Sequence, residues 1–252
     1  MGSGVGRHGT RGVLFNSSLA SAWLISLISL LSCDIQLLPG WFLVLAVVLR
    51  TQLQTGLFII GHDAMHQLLW PRRRVANDLL GTLALFAYAA LPYRRCRALH
   101  RRHHRAPGSQ EDPDFAGDPG SGWQGWYRRF MATYLSCSQM GGLLVSWAIL
   151  LLVFGAISPT AGTNILVFCT LPLVLSSLQL FIVGTYLPHR SHRGPHASSH
   201  PDSLNLPPWL SLLACFHFGY HREHHDHPDL AWFELPTARQ RSRLLASRPL
   251  SL

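Results

Sequence analysis

Long apolar blocks, rather than an alternation of apolar and polar residues, set the first limit on how this chain folds. Four of them run roughly over Leu19–Leu38, Trp41–Ile60, Phe130–Ile157 and Thr163–Leu187, and a helix needs about 20 apolar residues to cross a bilayer. A fifth run, Leu79–Leu91, is too short to span and suits a re-entrant or interfacial helix. Only 13% of the 252 residues are charged while 48% are hydrophobic, against about 25% charged in a soluble domain. The expected fold is an all-α integral membrane protein with about four transmembrane helices, a short re-entrant or interfacial helix, and a cytoplasmic cap rich in histidine. One domain over 1–252 is expected, with an N-terminal tail at 1–18 and a C-terminal tail at 237–252. Arg7 and Arg11 precede the first apolar block in the manner of a signal peptide, but no A-x-A-like cleavage site follows, so a retained span is expected.

The net charge of +9 is carried by arginine alone, since the chain has no lysine. All the arginines except Arg50 lie in the N-terminal tail, in the 61–129 region, or after Leu187, and the short loops Asp34–Gly40 and Ser158–Gly162 have none. By the positive-inside rule the arginine-rich side and both termini are cytoplasmic. The same distribution argues against nucleic-acid binding, because the arginines flank apolar spans and no nucleic-acid motif accompanies them. Arg50 lies within the second span beside Gln52 and Gln54; it is either a polar wall of a substrate tunnel or a structural or snorkelling side chain. The five cysteines are scattered, odd in number and form no C-x-x-C pair, which argues against a disulfide framework or a thiolate metal site.

Three histidine clusters carry the chemistry: His62-Asp-Ala-Met-His66, His100-Arg-Arg-His103-His104 and His221-Arg-Glu-His224-His225. Spacings of three and four put side chains on one helical face, so each cluster aims two or three imidazoles at one point. Imidazole suits iron, zinc, copper and nickel, and eight or more histidines exceed what one four-coordinate zinc uses. The set fits two metals. Its clusters reach one face only if Leu79–Leu91 does not cross. His189 follows the fourth span at the same depth and is a ninth candidate ligand or else a structural histidine. His217 lies four residues before His221 and is weighed on the same helical face. His192, His196, His200 and His227 read as loop or solvent-side residues and His8 as tail. Of the nearby acids, which include Asp112 and Glu223, three are candidates to take a ligand's other ring N–H: Asp63, Asp114 and Asp226. The alternative is that they are hydrated acids offsetting arginine. The Gly-, Pro- and Asp-rich loop Pro107–Gly125 reads as irregular and able to cover the site.

The three boxes resemble those of the membrane fatty-acid desaturase and hydroxylase superfamily. Within it, four strings make the chain look like the bacterial and cyanobacterial β-carotene 4-ketolases: Gly56-Leu-Phe-Ile-Ile-Gly-His-Asp-Ala-Met-His66, Asp112-Pro-Asp-Phe115, Gly184-Thr-Tyr-Leu-Pro-His-Arg190 and the stretch Phe216–Pro236 around the third box. The resemblance implies two non-haem irons, O2 as co-substrate and reduced ferredoxin as electron donor. It implies a carotenoid entering from the bilayer and a ketone made at C4 of a β-ionone ring, in a bacterial inner or thylakoid membrane. Gln67 departs from the pattern, which has a small residue such as Gly after the first box. Rival readings are a carotenoid 3-hydroxylase, an acyl-lipid desaturase, whose first box commonly has four intervening residues where this chain has three, and a membrane metal carrier.

Overall fold

A computed structural model describes residues 5–115, 122–190 and 201–246, with side chains from Arg11 to Leu245. The described residues are helical throughout, with turns and loops between and no strand. Among the described residues four helices are long and apolar enough to cross a membrane, or up to five if one bent pair counts as a span. The chain packs as two compact units, Met1–Ala98 with Met131–Gln179, and Leu99–Phe130 with Leu180–Leu252.

The first unit holds the apolar spans up to Gln179; residues 99–130 and those from Leu180 on, which follow here in chain order, belong to the second. Helix α1 runs Val5–Ser32, so residues 5–18, read as tail, continue the helix. It ends before Leu38 because Asp34 caps a separate 3-10 turn, Ile35–Leu37, by accepting a hydrogen bond from the Gln36 N–H. Helix α2, Gly40–Met65, carries the first box on its last turn, with His66 at its C-cap. Helix α3, Arg74–Ala89, contains the short apolar run, and the chain bends by 97° before α4, Tyr93–Arg105. The third span divides where the sequence showed one block: α5, Gly122–Tyr134, stops before Ser136, whose side chain caps α6, Cys137–Gly155. The fourth span runs through α7, Ala161–Ile165, a π-helical segment Leu166–Thr170, α8, Leu171–Gln179, a second π segment Leu180–Tyr186, and α9, Leu187–His189.

Small residues let the helices meet closely, as packing without a hydrophobic driving force requires. A Cβ on Gly61 would strike the Leu85 side chain at 2.5 Å, and one on Gly81 would strike Ala64 at 2.5 Å. Outward faces remain apolar: only 11% of the α6 span is buried, and Leu152 is 79% exposed. Such a surface suits lipid and would be a liability in water.

Arg50 is buried in this unit. Its Nε donates to the Phe168 carbonyl at 3.1 Å, and its Nη1 donates to the Trp23 carbonyl at 2.8 Å and to Ser26 Oγ at 3.1 Å. Phe168 lies four residues before Pro172, which has no N–H to offer it. Arg50 thus satisfies the Phe168 carbonyl, which a membrane interior would otherwise leave at a cost. Of its two readings, the structural one describes these contacts.

The second unit adds α10, Pro208–Cys215, α11, His221–Asp226, a 3-10 turn Trp232–Glu234, and α12, Leu235–Ala246. Trp126 and Phe181 form its aromatic core, with Phe115, Tyr127, Phe130 and Tyr186 packed around them. The indole N–H of Trp126 donates to the Asp114 carbonyl at 2.7 Å, tying the Asp112–Phe115 loop to α5. Within the loop expected to be irregular, helix begins at Gly122; residues 116–121 lie outside the described residues.

Candidate metal centre

Each histidine box stands on or at the end of a helix. In the first unit, His62 and His66 lie one turn apart with ring centroids 5.0 Å from each other, and Asp63 Oδ1 lies 3.5 Å from His62 Nδ1. The residue after the box, Gln67, has φ +65°, a left-handed backbone that glycine adopts without strain. This is the physical reason for a small residue there. Here the Gln67 side chain donates instead to Asp78 Oδ1 at 2.8 Å.

In the second unit, α4 supplies His100, His103 and His104, α11 supplies His221, His224 and His225, and His189 ends the fourth span. Four Nε2 atoms converge. His103 lies 2.9 Å from His225 and 3.2 Å from His221, and His221 lies 3.2 Å from His225 and 3.1 Å from His189. Beside them, His104 Nε2 lies 2.9 Å from His224 Nε2, with His100 4.5 Å from His104 between ring centroids and stacked on His224 at 5.8 Å. The rings of His104 and His225 stack at 4.2 Å, so the two sets adjoin.

These contacts cannot all be hydrogen bonds. The buried Asp112 Oδ1 accepts from His103 Nδ1 at 2.9 Å, so the neutral ring carries its proton there and turns a bare lone pair at Nε2 toward the cluster. Burial by itself would raise the Asp112 carboxyl. The His103 bond and the N–H groups of Gly108 and Asp114 bring it below the usual carboxylate range. Burial likewise works against a protonated His103, but Asp112 and Asp114 outweigh it and raise the ring's basicity. His221 is held well below the ordinary imidazole range by burial and then by its neighbours His225, His189, His103 and His104, so it stays neutral. Ring nitrogens about 3 Å apart are what neighbouring donors show around a metal whose nitrogens sit about 2.1 Å away. The donor set is the one iron accepts.

Among the acids, the structure departs from the reading of the sequence. Asp112, not Asp114, bonds His103; Asp114 Oδ2 stands 4.0 Å away, and its backbone N–H donates to Asp112 Oδ1. Asp226 is exposed at the end of α11, whereas Glu223 is buried and accepts from Arg239 Nη1 at 2.9 Å. The turn around Pro113 that points Asp112 inward was visible only as an Asp-Pro-Asp string. Arg239 had no signal, because it lies beyond the last motif.

His217 does not share a helical face with His221. Phe216 and His217 both have left-handed φ, +46° and +64°, which separates α10 from α11. The His217 ring stacks on Tyr220 at 5.7 Å and faces Trp232 at 6.2 Å, and burial pushes its pKa down to about 4. His227 is exposed at the α11 C-cap. His192, His196 and His200 lie outside the described residues, as does the side chain of His8.

Comparison with known proteins places the chain in a family. The fatty acid desaturase family model matches residues 36–148 and 139–249. A beta-carotene ketolase of Paracoccus sp. (strain N81106 / MBIC 01143) is 43% identical over 195 residues, covering 75% of this chain and 76% of that protein. One from Paracoccus sp. (strain PC1) is 40% identical over 200 residues, covering 78% and 79%, and one from Haematococcus lacustris is 39% identical over 198 residues, covering 75% and 60%. The histidine clusters together with this likeness point to iron, and the apolar helices to a membrane protein. The chain belongs to the fatty acid desaturase family and, within it, to the β-carotene ketolases.

Proposed function

We propose that this protein is a carotenoid 4-ketolase that converts β-carotene through echinenone to canthaxanthin. The observation that carries the reading is the knot of four Nε2 atoms backed by Asp112, in a chain that matches ketolases over three-quarters of its length. His100, His103, His104, His189, His221, His224 and His225 are assigned as ligands of two non-haem irons. His62 and His66 are assigned with them on the spacing of the first box. Iron bound there supplies the activation of O2 that lets a ring hydrogen be replaced by hydroxyl. Two such replacements at C4 give a gem-diol, which loses water to leave the ketone. Reduced ferredoxin is the proposed electron donor.

The chain's own part is to hold the imidazoles in place and to receive an apolar substrate. Asp112 keeps the His103 proton on Nδ1, and burial keeps His221 uncharged. The exposed apolar span faces suit a carotenoid that arrives sideways from the bilayer. The arginine distribution supports a site on the cytoplasmic side, and the proposed membrane is a bacterial inner or thylakoid one. The 97° bend between α3 and α4 suits a segment that enters and leaves the membrane by one face.

The test is expression in β-carotene-producing cells with analysis of the pigments. Echinenone and canthaxanthin are expected, and a His103→Ala variant that inserts normally should make neither. Unchanged pigments with altered fatty acids would assign the chain to acyl-lipid desaturation instead. Hydroxylated carotenoids without ketones would assign it to 3-hydroxylation.

A further inference from the structure

We infer that Arg239, on the C-terminal helix beyond the third histidine box, is a positioning residue that holds the α11 imidazoles in place through Glu223; this rests on the iron-site reading above. Helix α11 has six residues, too few to be stable on its own helical hydrogen bonds. The aim of His221, His224 and His225 therefore depends on what fastens α11 from outside. Glu223 stands between those histidines and is 1% exposed. Its Oε1 accepts from Arg239 Nη1 at 2.9 Å, and its Oε2 accepts from Ser203 Oγ. The same Ser203 Oγ accepts from the Arg222 backbone N–H at 3.1 Å, so one serine fastens both the main chain and a side chain of α11.

Helix α12 is built to deliver the guanidinium. Leu235 and Ala238 are buried, and Arg239 and Ser242 are half-buried beside them, a spacing that forms one inward helical face. The Arg239 guanidinium also lies over the Tyr220 ring at 6.0 Å, and Tyr220 is the N-cap of α11. Carboxylate, serine, guanidinium and ring thus grip the start and middle of α11 on the side away from its imidazole nitrogens. A tail would have no reason to bury such a face.

The experiment compares the iron-loaded full chain with Arg239→Gln and Arg239→Lys, each purified in detergent and restricted to the monodisperse fraction with wild-type helical content. Iron per chain is measured, and its loss to excess ferrozine is timed well below the unfolding temperature. Arg239→Gln should lose iron about 10- to 100-fold faster than wild type, the range for removing a group behind a ligand. Arg239→Lys keeps the charge without the planar fork and should fall between. Glu223→Gln should match Arg239→Gln. Release from Arg239→Gln at the wild-type rate would overturn the inference while leaving the iron site standing. A wild-type chain that makes ketones yet holds no iron would instead overturn the iron-site reading and the inference with it.

Discussion

The hydrogen bond from His103 to Asp112 acts on the ring twice: it chooses the tautomer and makes Nε2 a stronger donor. Asp114, two residues on, is in range of His103 only as a charge, at 4.0 Å. Asp112→Ala should therefore weaken iron binding by about 10- to 100-fold, and Asp114→Ala by much less. Iron titration of the two purified variants checks this, and equal losses would count against Asp112 as the group that sets the tautomer. The sequence showed both acids near the second box but not which one points inward. That depends on the turn through Gly108, Ser109 and Asp112, where the Asp112 carboxylate collects the Gly108 and Asp114 N–H groups. His217 was misleading for a related reason. Its spacing to His221 suits a helix, but Phe216 and His217 take left-handed backbone without a glycine to announce it.

Among the elements, the helical character of α4 was legible, because His100, His103 and His104 at i, i+3 and i+4 need only a helix to share a face, while its bounds and the 97° bend before it were not. The fourth span was legible in extent but not in its irregularity. Two π segments interrupt its α-helix, Pro172 has no N–H to offer the Phe168 carbonyl, and Arg50 from α2 meets that carbonyl. Arg50→Leu should lower stability by roughly 1–2 kcal/mol, the range for interhelical polar contacts in lipid, while leaving the ketone products unchanged. Thermal unfolding in detergent and pigment analysis together check this. A variant of normal stability with altered products would return Arg50 to the wall of a substrate tunnel.

For the whole molecule, arginine distribution and box placement make the same claim about sides. Arg72 and Arg73, in the turn before α3, and Arg74, its first residue, are exposed, and they should be cut by trypsin in inside-out vesicles and protected in right-side-out ones. Fragment masses check this, and cleavage only from the opposite side would remove the one-sided site. What the sequence alone determined is the kind of molecule: apolar block lengths demand membrane helices, and histidine periodicity demands imidazoles grouped on helical faces, because both follow from local geometry. What only the tertiary structure decided is which groups stand behind those imidazoles. Asp112 behind His103, Glu223 and Arg239 behind α11, and Arg50 under Pro172 are pairings between distant or irregular segments. No helical period encodes them, and they exist only once packing has brought a buried polar group to a partner that can satisfy it.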